Sequence, residues 1–114
     1  MNSKEMVVTD LDGTLFQKDH RISPRNYRTL RGLGEEGIIR VIATGRHLLS
    51  ARKVLPPNFP IDFLIFSSGA GILAWPQQDL LFSASMNREE LNLALESLSR
   101  RSLDFMVHHP IPDN

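Results

Sequence analysis

The sequence contains no cysteine. Disulfide bonds, thiolate catalysis and cysteine-ligated zinc are therefore excluded, and the absence suits a reducing compartment. No apolar run approaches the roughly 18 residues of a membrane-spanning helix. The first residues, Met-Asn-Ser-Lys-Glu, hold no apolar signal-peptide core. A cytoplasmic location and no membrane partner are expected. Net charge is missing too: 13 Lys and Arg offset 13 Asp and Glu. That leaves no overall field to draw in nucleic acid. The charge is uneven along the chain, with ten basic and six acidic residues over 1–60 and three against seven over 61–114. The asymmetry suits a small anionic ligand near the first half and is equally consistent with chance. There is no internal repeat and no low-complexity segment.

What is present is enough for one domain with a modest core: 114 residues, 41% hydrophobic and 23% charged. Met6-Val7-Val8 reads as a buried strand. It runs into Asp10-Leu-Asp12-Gly-Thr14, where two carboxylates at i and i+2 share one face of an extended chain. Two like charges at a strand end repel and are costly to bury, so a cation or a chemical task is expected for them. Residues 16–22 read as a polar loop. Ser23-Pro24 starts a helix, Ser as cap and Pro at the first helical position, and Gly37 stops it. Ile38 to Ala43 is a β-branched strand, so the first two strands form a parallel βαβ unit. A helix over roughly 47–55 ends at Pro56-Pro57. A third strand spans 61–66, and apolar pieces at 72–75 and 80–82 suggest a hairpin. Asn87 with Glu90 predicts a capped helix whose Leu91, Ala94, Leu95 and Leu98 form an ordinary packing stripe. Leu103 to Val107 reads as a last strand, before a Pro-broken end at 108–114.

Three strand ends carry polar, glycine-containing clusters: Asp10–Thr14, Thr44–Arg46 and Ser67–Gly71. In a parallel sheet these ends lie along one edge, where open α/β sheets bind ligands. Together they offer acids, a hydroxyl, backbone N–H groups and a guanidinium, which suit a phosphate ester beside a divalent cation. Asp10-Leu-Asp12-Gly-Thr14-Leu resembles the first motif of the haloacid dehalogenase-like phosphohydrolases. Thr44-Gly45-Arg46 resembles the second motif, in the form common to the Cof-like sugar-phosphate phosphatase branch. Ser68-Gly69-Ala70 stands where that branch usually has Asn-Gly-Ala. The resemblance covers residues 5–75, and residues 80–110 match more loosely as the start of a cap.

The fold implied is α/β: a Rossmann-like parallel sheet forming an incomplete core over residues 1–83, with an inserted α/β cap beginning over 84–114. The activity implied is magnesium-dependent hydrolysis of a small phosphomonoester, such as a sugar phosphate. By that resemblance Asp10 attacks phosphorus to give an aspartyl-phosphate, and Asp12 is the general acid and base. Mg²⁺ is held by the Asp10 carboxylate and the Asp12 main-chain carbonyl. Thr44, Gly45, Arg46, Ser68 and Gly69 receive the substrate and its phosphate. A phosphosugar mutase shares the aspartyl-phosphate and is the alternative enzyme. A truncated, non-catalytic module that binds phosphate or a partner chain is the other alternative.

Blander readings stand beside these. The acid pair could be a calcium loop or solvated turn, although Thr14 occupies the position where an EF-hand places its next ligand. Thr44-Gly45 could be only a cap and a turn, and Arg46 only a solvated side chain. Gly69-Ala-Gly71-Ile-Leu-Ala74 matches a dinucleotide fingerprint, but that motif must open a helix and Trp75-Pro76 would break one. His20 and His47 lie near the presumed site, whereas His108-His109 read as surface histidines. The family also uses a lysine and a later acidic pair. The only lysines are Lys4, Lys18 and Lys53, and no acid after Asp79 sits in a strand-end motif. The chain is therefore expected to be an N-terminal piece with little turnover of its own, joined to a missing C-terminal half or to a second copy.

Overall fold

The structure, a computed structural model, describes residues 4–111. Five strands form one sheet in the order β1-β2-β3-β4-β5. They are β1 (Met6–Thr9), β2 (Ile39–Ala43), β3 (Phe63–Phe66), β4 (Gly71–Ala74) and β5 (Asp79–Ser83). β1, β2 and β3 are parallel, and the β4–β5 hairpin continues the sheet antiparallel from β3. The helices are α1 (Pro24–Glu35), α2 (Leu48–Val54) and α3 (Arg88–Arg100). The α/β class, the βαβ unit and the hairpin are as the residue pattern predicts.

Local chemistry sets the helix ends. The Ser23 side chain accepts from Asn26 N, and Pro24 occupies the first turn of α1. Asn87 and Glu90 form a reciprocal capping box on α3. His47, not Thr44 or Gly45, caps α2, accepting from Ser50 N at Nδ1. Thr44-Gly45 is thereby left to the strand-to-helix turn.

One face of the sheet holds the core. Ile42, Leu64 and Leu73 stand side by side across β2, β3 and β4. They are buried with Leu30 of α1 and with Leu48, Ala51 and Leu55 of the α2 segment. Phe16 is 2% exposed and belongs to this core, which corrects its place in a polar loop. The turn after β1 folds back on itself, with Phe16 N donating to Leu11 O and Gly13 N to Phe16 O. Phe16 then meets Phe59 edge to face, with centroids 5.9 Å apart.

Two further expectations are corrected. β1 is not buried: Met6 is 56% and Val8 54% exposed. β1 is the sheet edge, and Met6 and Val8 project to the face opposite α1 and α2. Ile39, Phe63, Ile65 and Ile72 share that face and are only half-buried. Leu103 to Val107 forms no strand. The segment has the composition of one, but a strand needs a neighbour for its backbone groups, and among the described residues none pairs with it. The α3 stripe is half-buried rather than fully packed. The Cα radius of gyration, 16.7 Å, exceeds the roughly 13 Å of a compact domain this size. Of the Pro-broken end, residues 112–114 lie outside the described residues.

Candidate active site

Parallel pairing brings the three polar clusters to one edge, and specific bonds join them. Arg46 donates from Nε to Asp12 Oδ2 at 2.8 Å and from Nη2 to Asp12 Oδ1 at 2.9 Å. Its Nη1 donates to Ser50 Oγ at 2.9 Å, so α2 anchors the far side of the guanidinium. Arg46 is thus a paired fork on the first cluster, not a solvated side chain. Its hydrogen bonds hold the Asp12 carboxyl below its ordinary value. Partial burial opposes this, and the charges of Arg46 and His20 add to the lowering. His20 Nδ1 is 3.3 Å from Arg46 Nη2 and 3.7 Å from Asp12 Oδ1, which puts this loop histidine in the site.

The second and third clusters are joined through the backbone. Ser68 N donates to Thr44 O at 3.1 Å and Ser67 N to Arg46 O at 2.8 Å. Thr44 is buried, and its hydroxyl accepts from Arg46 N at 3.1 Å. Gly45 is exposed beside it, and a Cβ there would stand 3.4 Å from Ser68 Oγ. Ser67, Ser68 and Gly69 all have positive φ, at 48°, 53° and 99°. The two serines therefore sit in the left-handed region that Gly and Asn adopt more readily. The bonds to Thr44 and Arg46 keep the strained turn in place.

Asp10 is exposed at the end of β1, its Oδ1 accepting from Leu11 N at 2.7 Å. Leu11 beside it is fully buried. Sequence spacing puts the acid pair on one extended face, but the strand ends at Thr9 and the chain turns directly afterwards. The two acids are instead presented from a turn anchored by Leu11, Leu15 and Phe16. Among the described residues no cluster of three or more His, Asp or Glu is placed to hold a metal. The donors at this edge are hard oxygens, the type that suits Mg²⁺ with several retained waters.

Gly71, part of the apparent dinucleotide fingerprint, lies in β4 and not at a helix start. The residue is glycine because the Phe66 ring lies against it: a Cβ would fall 2.1 Å from Phe66 Cζ. His108, a surface histidine by its sequence context, reaches the site. Its ring stacks obliquely on His47, centroids 5.1 Å apart, bringing the segment after α3 to the turn after β2. Nothing local in the sequence marks that pairing, since the two residues are far apart in the chain.

A family model for haloacid dehalogenase-like hydrolases matches residues 7–110. The chain belongs to this family. It is 37% identical over 78 residues to an HMP-PP phosphatase of Cronobacter sakazakii, an alignment covering 68% of this chain and 28% of that protein. It is 32% identical over 68 residues to a 5-amino-6-(5-phospho-D-ribitylamino)uracil phosphatase of Bacillus subtilis, covering 60% and 27%. Among solved structures, a haloacid dehalogenase-like hydrolase from B. subtilis superposes with a TM-score of 0.73 at 27% identity, over 86% of this chain and 34% of that one. The chain thus spans roughly a quarter to a third of the length of these relatives. The core fold of this haloacid dehalogenase-like chain, and its membership of a phosphatase family, agree with the motif reading. No helix among the described residues is long and apolar enough to cross a membrane.

Proposed function

We propose that the chain carries the nucleophile, the proton-transfer acid and part of the phosphate cradle of a phosphomonoester hydrolase acting on a small metabolite. The observation that carries this is the joined edge: Asp12, Arg46, Thr44 and Ser68 tied into one constellation beside the exposed Asp10 carboxylate. The relatives' names, both phosphatases, support the reaction class.

The Asp10 carboxylate oxygen forms the new bond to phosphorus as the ester P–O bond breaks. The leaving alkoxide takes a proton from Asp12. Water then attacks the aspartyl-phosphate, gives its proton to Asp12 and releases phosphate, restoring Asp10. With Arg46 bonded to both its oxygens, Asp12 rests as a carboxylate. An arriving phosphate ester competes for the Arg46 guanidinium and frees Asp12 to take up one proton from solvent, the proton it gives to the alkoxide; the proton it takes from water returns to solvent as phosphate leaves and Arg46 re-forms its bonds. The Gly45 N–H and the Thr44 hydroxyl receive phosphate oxygens, and Ser68 and Gly69 bound the same pocket. Mg²⁺ would be held by the Asp10 carboxylate and the Asp12 carbonyl. Its chemistry there is to neutralise the anionic phosphate facing an anionic nucleophile.

Residues 1–83 serve as the first part of the catalytic core and 84–114 as the beginning of a cap. A lysine and an acidic pair of the family's kind are absent from these 114 residues, so the chain alone is expected to turn over little or no substrate. In a chain carrying this segment within a relative's full length, Asp10→Asn should abolish magnesium-dependent phosphate release. Full activity in that variant would sink the reading. Release of free phosphate, not an isomerised ester, separates hydrolysis from a mutase. The bare β1 edge and the half-exposed face beside it favour one further reading, in which the segment joins another polypeptide, either a second copy or a C-terminal half.

A further inference from the structure

The loop before α1 supplies one of the partners that hold the Arg46 guanidinium. Nε and Nη2 each donate to Asp12, and Nη1 donates to Ser50 Oγ. The other N–H of Nη2 faces His20 Nδ1 at 3.3 Å. A guanidinium has no acceptor, so this contact uses the Nδ1 lone pair, and the imidazole that makes it carries its proton on Nε2. Nothing in the reaction described above uses His20.

His20 reaches Arg46 from a tight turn. Phe16 bridges Ile22, Gln17 N donates to Arg21 O, and His20 N donates to Gln17 O. His20 has φ 58°, in the left-handed region that Gly and Asn adopt more readily than other residues. Its side chain is 57% exposed, so core packing does not place it, yet the ring is turned onto Arg46. The contact matters when a phosphate displaces the Asp12 carboxylate. Two uncharged acceptors then remain on the guanidinium, Ser50 at Nη1 and His20 at Nη2. With both in place the head is held from two sides. With Ser50 alone it is held at one point and is free to rotate. We propose that His20 is a positioning residue for Arg46, its Nδ1 retaining Nη2 at the edge while phosphate replaces Asp12. This rests on the phosphatase reading and adds a residue to its phosphate site.

The test is an NMR titration of the 114-residue chain with inorganic phosphate and Mg²⁺ at pH 8, above the ordinary range of an imidazole. The Gly45 amide reports affinity. Carbon-detected spectra of Arg46 report motion, because Nη1 and Nη2 give separate signals while the head is held and one averaged signal when it rotates. His20→Leu removes the acceptor. His20→Asn puts Oδ1 where histidine has Nδ1 and accepts positive φ. His20→Leu should weaken phosphate binding about three- to tenfold, the range of one lost hydrogen bond. Its Arg46 signals should stay separate without phosphate and average at saturation. Wild type and His20→Asn should keep them separate throughout. If His20→Leu matches wild type, or if His20→Asn behaves like His20→Leu, the inference is overturned while the phosphate site stands. Averaged signals in His20→Leu already without phosphate would overturn it too, since His20 would then only support the fold. If phosphate moves none of the Thr44–Arg46 amides in wild type, the phosphate reading is overturned and this one with it.

Discussion

Replacing Arg46 with Met should remove a charge-dependent part of the chain's stability and leave the apolar stem of the side chain in place. Arg46 gives Asp12 two charge-assisted hydrogen bonds, at 2.8 and 2.9 Å. The two side chains are 21% and 43% exposed. Solvent screening at that exposure limits the pair to the range of surface ion pairs, and its two-pronged geometry puts it at the upper end, about 1 kcal/mol. The sign with pH follows from the direction of the shift. Asp12 is held below its ordinary value in the folded chain, so the contribution is complete above the ordinary carboxylate value of 3.8. It is lost as pH falls through the lower folded value. Urea unfolding of wild type and Arg46→Met should therefore differ by about 1 kcal/mol near pH 7, and the gap should narrow progressively as pH falls below the ordinary carboxylate value. Urea is the right denaturant, because guanidinium chloride would screen the pair. High salt near pH 7 should narrow the gap in the same way. A difference that is unchanged by acid and salt would refute the argument, since it would mean that Arg46 contributes through packing alone.

Gly71→Ala should cost about 1–3 kcal/mol in urea unfolding, because the new Cβ meets the fully buried Phe66 ring. Adding Phe66→Leu should recover part of that loss, and strict additivity would argue against the clash. Asp62→Asn should cost about 1–2 kcal/mol near pH 7, because Arg40, bonded from N at 2.8 Å and from Nε and Nη2 at 3.1 Å, loses its charged partner and the acceptor at the oxygen that becomes an amide NH₂. Burial pushes the Asp62 carboxyl up, but the Arg40 hydrogen bonds and charge together outweigh it and hold the group low. Its stabilisation is therefore lost as pH falls below the ordinary range, and an Asp62→Asn chain that kept the wild-type acid sensitivity would contradict this. Sedimentation of the wild-type chain should show self-association that Val8→Lys reduces, because Val8 projects from the bare edge strand. A strictly monomeric wild type would count against that use of β1.

Elements defined by local chemistry were legible from the residues alone. Ser23-Pro24, the Asn87/Glu90 box and the β-branched run of β2 each carry their own signal, and each lies where that signal puts it. The elements that were not legible depend on neighbours. Met6-Val7-Val8 is equally apolar whether its strand lies inside a sheet or at its edge, so composition cannot report its exposure. Leu103 to Val107 has strand composition, yet pairing is a property of two segments. Phe16 is buried because Gly13 and Leu11 close a turn around it, a three-dimensional consequence of a stretch that reads as polar. The joined edge was half legible. Parallel strands with polar ends predict the meeting of the three clusters, but not that Arg46 would take both Asp12 oxygens or that His108 would reach His47.

What holds the edge together bears on how it works. No described residue cluster is placed to hold a metal, yet the second and third turns are already locked by Ser68 N to Thr44 O, Ser67 N to Arg46 O and Arg46 N to Thr44 Oγ1. Those bonds hold two successive serines in a backbone conformation that costs each of them free energy, of order 1 kcal/mol or more. Strain of that kind survives only where surrounding bonds over-determine it, so the turn is part of the frame and not a response to ligand. The first turn is attached differently, by side-chain bonds from Arg46 to an exposed carboxylate. A phosphate can displace side-chain bonds of that sort, whereas the backbone bonds between the other two turns remain. The edge thus combines a fixed half, Thr44 to Arg46 with Ser67 to Gly69, and an exchangeable link to the acids. That division suits a site in which the phosphate cradle must stay still while the proton carrier changes its charge.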